Sequence, residues 1–224
     1  MDGTVEKLLS AFGSALHCYG ELLSGYSGKI RLTGPGDADT IWNDHILDCL
    51  HSVPLLPREG RVLDVGSGGG LPGMIWAICR GDLQVVLLDS VRKKCGALEY
   101  IASELGLHNV EVVWGRCEDF AGRERESFSL ASARAVAAAG ILAEYLSPLV
   151  SVSGKLLAFK GPLYREEIAP LERKWSLLGL SSPSIMPYDG DGKQRFFLLW
   201  DKIAPCPVRF PRKAGTAEKN HWWR

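Results

Sequence analysis

The chain has 224 residues, 46% of them hydrophobic, which is enough for one full α/β core with a small addition. Lysine plus arginine and aspartate plus glutamate number 26 each, so there is no net charge to attract nucleic acid, and any nucleic-acid site must be a local patch. Because no apolar stretch approaches the roughly 20 residues that cross a bilayer and no signal-peptide pattern is present, we expect a cytoplasmic protein with no membrane partner.

Residues 1–52 are predicted to form a helical N-terminal extension. Apolar residues recur at helical spacing through the first 19 positions. The stretch Gly25–Asp39 is rich in glycine and polar residues and predicts a loop, and a second short helix is expected over Ile41–Leu50. An α/β domain follows over residues 53–204.

A strand, a glycine turn and a helix start follow one another at the beginning of this domain. Arg61–Val65 is strand-like, and the next eight residues, Gly66–Gly73, include five glycines. Glycine allows the backbone to approach a ligand closely at positive φ, so the turn predicts the floor of a nucleotide or nucleoside pocket, with Gly66 and Gly68 among its contacts. The alternative is a plain tight turn before a helix.

Two ligand classes use such a turn. Gly68, Gly70 and Gly73 match the G-x-G-x-x-G spacing of dinucleotide sites, but they begin two residues late, and Pro72 removes an amide donor where a pyrophosphate would need one. S-adenosylmethionine has no phosphate and carries a positive sulfonium, so the carboxylate of Asp64 on the first strand suits it. The sequence favours S-adenosylmethionine and leaves an NAD-dependent oxidoreductase as an alternative.

A second carboxylate follows the second predicted strand, Leu83–Leu88. Ligands of parallel sheets bind at the carboxyl ends of the strands, so Asp89 is expected to accept hydrogen bonds from the ribose hydroxyls. The alternative is that Asp89 only caps the next helix or pairs with Lys93. Ser90 is predicted to cap that helix.

The rest of the domain alternates strand and helix patterns, which is typical of a parallel sheet. The further strands are predicted at Val110–Trp114, Phe128–Ala133, Lys155–Lys160, 184–188 and 195–201, with helices near Ile141–Leu149 and Glu166–Leu178. The last two strands are joined by Asp189–Gly192, a hairpin turn pattern. These patterns predict a mostly parallel seven-stranded sheet with a terminal antiparallel hairpin.

Polar side chains also follow the third and fourth strands. Cys117 and Glu118 are placed to meet an adenine edge, although Glu118 can equally cap the next turn. Arg134 lies in an otherwise apolar run and must find a partner, so we expect it to point into the crevice and not to lie across the surface.

The candidate substrate contacts are basic. Lys160 follows the fifth strand, and Arg212 and Lys213 lie in a basic tail, residues 205–224, where they are expected to engage phosphates or guanine acceptors. The alternative for the tail is a solvated, mobile end. His45 is interpreted as a structural residue in preference to a substrate contact.

The six cysteines include no Cys-x-x-Cys pair and lie mostly within apolar segments. They indicate buried thiols of a reducing compartment, with no disulfide framework and no metal site.

Seven segments together resemble the ribosomal RNA small-subunit methyltransferase G family, also called glucose-inhibited division protein B. They are Asp64–Gly73, Leu88–Lys94, Arg116–Phe120, Ala133–Ala137, Phe159–Gly161, His45–Leu50 and Phe210–Gly215. The resemblance spans nearly the whole chain, and its specificity lies in the order and spacing of the segments.

The resemblance implies a Rossmann-like fold and S-adenosylmethionine-dependent methylation of N7 of one guanine in the 530 loop of bacterial 16S rRNA. Carried over by position, Gly66, Leu71, Cys117 with Glu118, and Arg134 would line the cofactor site. The partner would be 16S rRNA or the small ribosomal subunit. The chain departs from the family pattern at three positions, where Ala133 and Cys49 replace serines and Arg31 replaces an asparagine.

The implied chemistry needs neither a catalytic base nor a metal. Guanine N7 carries a free lone pair at neutral pH, so the transfer requires positioning, desolvation and stabilisation of the purinium that forms. No catalytic residue is therefore assigned. A methyltransferase acting on a small molecule or a protein, and a non-enzymatic RNA-binding module, remain as further alternatives.

Overall fold

The computed structural model describes residues 3–26, 30, 32–33, 37–190 and 192–224. Several positions covered by the predictions above lie outside the described residues: 1–2 of the N-terminal extension, 27–29, Arg31 and 34–36 of the predicted loop, and Asp191 of the hairpin turn. The chain forms one seven-stranded sheet with helices on both faces.

The strands agree with the predicted mostly parallel sheet. They are β1 Arg61–Val65, β2 Gln84–Asp89, β3 Val110–Trp114, β4 Phe128–Arg134, β5 Val150–Lys160, β6 Ser184–Gly190 and β7 Lys193–Asp201. Their order is β3-β2-β1-β4-β5-β7-β6, with β1 to β5 parallel and β7 antiparallel to both β5 and β6. The predicted fold class is confirmed, and the strand order reverses between β1 and β4, where doubly wound sheets bind ligands.

The helices in the described part of the chain are α1 Gly3–Tyr26, α2 Ala38–Thr40, α3 Asp48–Leu50, α4 Gly73–Cys79, α5 Arg92–Glu104, α6 Cys117–Phe120, α7 Ala139–Leu146, α8 Tyr164–Ile168 and α9 Thr216–Lys219. A π-helix, Ile41–Leu47, joins α2 to α3. Three 3₁₀ turns lie at Val53–Leu55, Ala169–Leu171 and Trp175–Leu178. None of these helices has the length and apolarity to span a membrane.

Alternation along the central strands divides the core between the two faces of the sheet. In β2, Val85 and Leu87 pack with α1, α4 and α5, whereas Val86 and Leu88 pack with α7 and the C-terminal residues. Both packing layers, one on each face of the sheet, are needed because a parallel sheet is hydrophobic on both sides. The N-terminal helix and the C-terminal segment therefore complete the core of the same sheet.

The closing hairpin has the predicted tight turn. Gly190 pairs with Lys193, and Gly192 adopts φ +71°, a conformation that favours glycine. The Gly192 amide donates to Asp189 Oδ1 at 2.9 Å.

Three local predictions were wrong. Ser90 does not cap α5, because Val91 occupies that position and its amide donates to Asp89 Oδ1 at 2.8 Å. The predicted loop Gly25–Asp39 was wrong at both ends, since α1 extends to Tyr26 and α2 begins at Ala38. The predicted helix Glu166–Leu178 is broken into α8 and two 3₁₀ turns, because Pro170 lacks the amide that a continuous helix needs.

The C-terminal residues pack on the sheet, so the alternative of a mobile tail was wrong. Cys206, Phe210, Ala217 and Trp223 are buried in the cluster that contains α7. Arg125 donates to the carbonyl groups of Cys206 and Phe210. All six cysteines are free, with Cys18 exposed and the others buried.

Candidate active site

A crevice of about 340 Å³ opens at the carboxyl ends of β1 and β4, where the strand order reverses. The turn after β1 forms its floor through Gly66–Gly69 and Leu71. Arg134 and Ala135 line it from the end of β4, and His45 lines it from the π-helix. The predicted glycine turn and arginine thus meet in one cavity.

Two glycines of the turn combine positive φ with little room for a side chain. Gly66 has φ +72°, and a Cβ there would lie 2.7 Å from Val136 Cγ2. Gly68 has φ +58°, and a Cβ there would lie 3.1 Å from the Leu32 carbonyl oxygen. Both positions favour glycine, and both line the crevice.

Asp89 joins the turn to the end of β2, and it is buried and not one of the residues that line the crevice. Its Oδ2 accepts from the Gly68 amide at 2.9 Å and its Oδ1 from the Val91 amide at 2.8 Å. Each carboxylate oxygen keeps a second lone pair, so hydrogen bonds from ribose hydroxyls are compatible with this geometry. Within the described chain no ion pair joins Asp89 to Lys93.

Asp64 lies beneath the glycine turn and does not line the crevice. Its side chain has no solvent exposure, Oδ2 accepts from the Gly73 amide at 3.0 Å, and Oδ1 has no hydrogen-bond partner. Burial raises the pKa of this carboxyl to about 7. The structure thus gives Asp64 a positioning contact to the start of α4, and any influence on a ligand acts through the turn.

The start of α4 is closed to a pyrophosphate. The Gly73 amide donates to Asp64, the Met74 amide donates to the Gly70 carbonyl at 2.7 Å, and Pro72 has no amide hydrogen. Dinucleotide sites use these amides and the positive end of the helix to bind phosphate. Here the amides are occupied and a carboxylate lies below them, so the literal G-x-G-x-x-G spacing does not make a phosphate site.

Arg134 joins the end of β4 to the helical segment 38–50. Its Nε lies 3.3 Å from Asp48 Oδ2, one terminal nitrogen donates to Cys49 Sγ at 3.3 Å, and the other donates to the Asp44 carbonyl at 2.9 Å. The side chain is 15% exposed, so it does not lie across the surface. Asp48 also accepts from the Tyr188 hydroxyl at 2.8 Å, which connects the network to β6.

His45 completes this network at the crevice. Its Nδ1 lies 2.9 Å from Arg134, and because a guanidinium only donates, Nδ1 accepts and Nε2 carries the proton. Nε2 is buried without a hydrogen-bond partner. Burial, with the nearby Arg134 charge, lowers the pKa of His45, so the ring is a neutral donor.

The grouping of His45 and Asp48 was not predicted from the sequence, although both lie in the segment His45–Leu50 named there. They are three positions apart on one helical face and converge on the same arginine. The contact of Tyr19, whose hydroxyl donates to the Gly69 carbonyl at 2.7 Å and holds α1 against the turn, was also not predicted. The helical spacing of Tyr19 indicated only that it is buried.

The other predicted residues are engaged within the fold. Lys160 pairs with Glu167 at 2.6 Å and donates to the Ala137 carbonyl at 2.7 Å, with 9% of its side chain exposed. Buried Cys117 donates to Glu118 at 3.2 Å, and neither residue is part of the crevice wall. In the described part of the chain, no three histidine, cysteine or acidic residues are grouped to hold a metal ion.

Arg212 and Lys213 differ although they are adjacent. Arg212 makes two side-chain hydrogen bonds to Glu144, at 2.8 and 2.6 Å, and the Glu144 carboxylate is buried. Lys213 is exposed. The RNA contact of Lys213 therefore stays a prediction. The guanidinium of Arg212 is instead bound to Glu144 within the fold.

The model of one protein family, described as rRNA small subunit methyltransferase G, matches residues 13–195 of this chain. The chain belongs to the rRNA small subunit methyltransferase G family. The match covers the crevice, the network around Arg134 and all of the parallel strands.

Relatives named ribosomal RNA small subunit methyltransferase G match over most of their length. The chain is 36% identical to the protein from Moorella thermoacetica over 233 aligned residues, covering 96% of this chain and 97% of the relative. It is 38% identical to that from Rubrobacter xylanophilus, covering 92% and 82%. It is 37% identical to that from Thermotoga maritima, covering 84% and 79%.

Solved structures with low sequence identity share the fold of this methyltransferase G family member. A 16S rRNA (adenine(1408)-N(1))-methyltransferase from Catenulisporales acidiphilia superposes with a TM-score of 0.55 at 14% identity, over 71% of this chain and 92% of the other. A predicted O-methyltransferase from Agrobacterium tumefaciens gives 0.54 at 18% identity, over 69% and 78%. At such identities the likeness concerns the fold alone.

Proposed function

We propose that this chain transfers the methyl group of S-adenosylmethionine to N7 of one guanine in the 530 loop of 16S rRNA. Membership of the rRNA small subunit methyltransferase G family, matched over residues 13–195, carries this proposal. The crevice at the reversal of strand order supplies the matching geometry.

The residues of the crevice suit an adenosyl cofactor without phosphate. The volume of about 340 Å³ lies in the range of small-molecule sites. Gly66 and Gly68 line the crevice and let backbone approach the ligand. Asp89 does not line it, but it is bonded to the Gly68 amide and has free lone pairs for the ribose hydroxyls. S-adenosylmethionine supplies an electrophilic methyl group on a sulfonium, and Asp64 places a titratable carboxyl behind the turn.

His45 and Arg134 are suited to position the guanine. N7 of guanine lies beside O6, and both are acceptors. N7 is the nucleophile, so we assign the His45 Nε2 hydrogen, which is buried and has no partner within the fold, to O6 of the bound guanine. A neutral imidazole is the appropriate donor because positive charge develops on the purine, and an imidazolium would oppose it. Arg134 maintains this form by occupying Nδ1 and by lowering the pKa of His45.

The alternative functions have less support. Methylation of a small molecule or a protein would not account for membership of a family described by its rRNA substrate. NAD binding would need the amides at the start of α4, which are occupied. A binding module without activity would not require a crevice beside a preorganised donor.

The proposed function is tested by mapping modified bases in 16S rRNA from cells with and without this protein. We expect one N7-methylguanine in the 530 loop that disappears on deletion and returns with the wild-type gene. Purified protein and labelled cofactor should restore the same mark in vitro. An unchanged rRNA pattern, or a methyl group on another base, would contradict the assignment.

Heat stability should distinguish the cofactor classes. At about 100 times its dissociation constant, S-adenosylhomocysteine should stabilise the fold by about 2.7 kcal/mol, which is roughly 5–10 °C in Tm for a domain of this size. NAD at the same concentration should give no shift. Asp89→Ala should reduce the shift, whereas Asp82→Ala, at an exposed carboxylate just before β2, should keep it. A larger shift with NAD would contradict the cofactor assignment.

The pH dependence of cofactor binding should show whether the Asp64 carboxyl ionises when S-adenosylmethionine binds. Its pKa of about 7 in the folded protein means that the carboxyl is partly protonated at neutral pH. A sulfonium bound above the turn favours the ionised form, so binding releases a proton and S-adenosylmethionine affinity should rise between about pH 6 and 8. Each unit by which the sulfonium lowers this pKa corresponds to about tenfold in affinity.

Comparison of two ligands isolates this effect. S-adenosylhomocysteine lacks the sulfonium charge, so its affinity should change little over the same pH range in calorimetry. Asp64→Asn should flatten the S-adenosylmethionine profile, while His45→Ala should retain the rise, because the lowered pKa of His45 places its titration at more acidic pH. Equal pH profiles for both ligands would exclude the role given to Asp64.

A further inference from the structure

An exposed tryptophan lies at the carboxyl end of the edge strand β3. Trp114 is 58% exposed, and its indole Nε1 donates to the Ser90 carbonyl at 3.1 Å. In the sheet it is the register partner of Asp89, the proposed ribose acceptor. A large aromatic ring is thus held in a fixed orientation, open to solvent, at the same carboxyl edge of the sheet as the crevice and two strands from β1.

Positive side chains adjoin this ring. The Arg92 guanidinium carbon lies 5.3 Å from the Trp114 ring centroid, Lys93 is exposed, and Lys94 lines the crevice. The cations therefore extend from the tryptophan to the catalytic crevice along the first turn of α5.

Folding does not explain this placement. The first turn of α5 contains no acidic residue, and the helix dipole disfavours positive charge at that end. Across the described residues, Arg92, Lys93 and Lys94 take part in no ion pair. Because Arg92, Lys93 and Lys94 weaken the helix and have no anionic partner in the described chain, they point to an anionic ligand from outside the chain.

We propose that Trp114, Arg92 and Lys93, here named the tryptophan platform, bind one unpaired nucleotide of the rRNA beside the target guanine. The base stacks on the indole, and the flanking phosphates contact Arg92 and Lys93. Lys94 continues the positive path to the crevice. This inference rests on the proposed rRNA substrate and adds a contact for the strand next to the reacting base.

The cofactor adenine suits this surface less well than RNA. More than half of Trp114 is open to solvent, whereas an adenine site is expected to enclose its base. The phosphates of RNA would pair with Arg92, Lys93 and Lys94, whereas S-adenosylmethionine has no phosphate. Proteins that bind single-stranded RNA combine aromatic rings for bases with basic residues for the backbone, as this surface does.

Steady-state kinetics with 16S rRNA transcripts test the platform. Loss of one stacked base should raise KM for RNA about tenfold in Trp114→Ala, with kcat at saturating RNA unchanged. Trp114→Phe should stay within about threefold of wild type because a ring remains. Ile203→Ala is the matched control, because Ile203 has the same 58% exposure and follows β7, which ends at the amino ends of the parallel strands and far from β3 in the sheet order.

The phosphate contacts are tested by salt titration of RNA binding. Arg92→Ala with Lys93→Ala should reduce the slope of log K against log salt by roughly 1–2. Arg58→Ala, an exposed cation near the amino ends of the strands, should leave the slope unchanged. An unchanged slope in the double variant would overturn the phosphate contacts.

The outcomes separate this inference from the proposed function. If wild-type protein methylates 16S rRNA but Trp114→Ala keeps its KM, the platform is overturned. If Trp114→Ala loses affinity for S-adenosylhomocysteine while KM for RNA is unchanged, the ring belongs to the adenine site, and the inference is again wrong. If wild-type protein does not methylate 16S rRNA, the proposed function fails first.

Discussion

Arg134→Ala should abolish methyl transfer and also destabilise the fold by about 3–5 kcal/mol. The arginine is the partner of Asp48, whose side chain is only 6% exposed, and removing one member of a buried pair leaves the other charge uncompensated. It also fixes the tautomer of His45 through the 2.9 Å contact to Nδ1. Both losses arise from one side chain, and urea denaturation together with a methylation assay at low temperature measures them.

A second substitution should separate the two roles of Arg134. Adding Asp48→Asn removes the uncompensated charge, so the double variant should regain much of the lost stability while remaining inactive. Arg61→Ala is a suitable control, because Arg61 pairs with Glu124 at 35% exposure and should contribute no more than about 1 kcal/mol. Normal activity in Arg134→Ala, or equal stability of the single variant and wild type, would contradict this account.

The sheet could be predicted from the sequence because the patterns that mark its strands and its hairpin turn are local. The β-branched runs that form β1 to β3 and the glycine pair that closes the final hairpin each lie within about ten residues. Errors occurred where the local signal was weak. The helical spacing after Glu166 did not reveal the effect of Pro170, and the glycine at position 25 did not end α1.

Part of the candidate site, the glycine turn with Asp89, could also be predicted because its signals are local. The glycine turn and Asp89 are marked by strand endings, and their contact spans only 21 residues. The network around Arg134 is different, because Arg134 is 89 residues from His45 and Tyr188 is 140 residues from Asp48. No pattern along the chain indicates which distant side chains will meet, so the sequence located the arginine but not its partners.

The same limitation explains the predicted substrate contacts. Lys160 and Arg212 were interpreted as RNA-binding because they are basic and follow suitable elements. In the fold each has a carboxylate partner, Glu167 and Glu144, supplied by α8 and α7. Charge type is visible in a sequence, whereas the pairing of charges depends on tertiary structure. Lys213 and the first turn of α5 are accordingly better candidates for contacting phosphates.

Arg212→Ala and Lys213→Ala should give opposite results although the residues are neighbours. Arg212 compensates the buried Glu144 carboxylate with two hydrogen bonds, so its loss should cost about 3–5 kcal/mol in the free energy of unfolding. Lys213 is exposed, so its loss should leave the unfolding free energy within about 0.5 kcal/mol of wild type.

For RNA affinity we expect the reverse, with a larger loss in Lys213→Ala than in Arg212→Ala. At a temperature where both variants are folded, Arg212→Ala should bind 16S rRNA like wild type, whereas Lys213→Ala should bind more weakly and with a salt slope reduced by about 1. Arg212→Ala with Glu144→Gln should recover stability, because the uncompensated charge is gone. Weak RNA binding by a folded Arg212→Ala protein would instead return the arginine to the substrate site. The buried partner makes that result unexpected, because the Arg212 charge is already compensated by the Glu144 carboxylate.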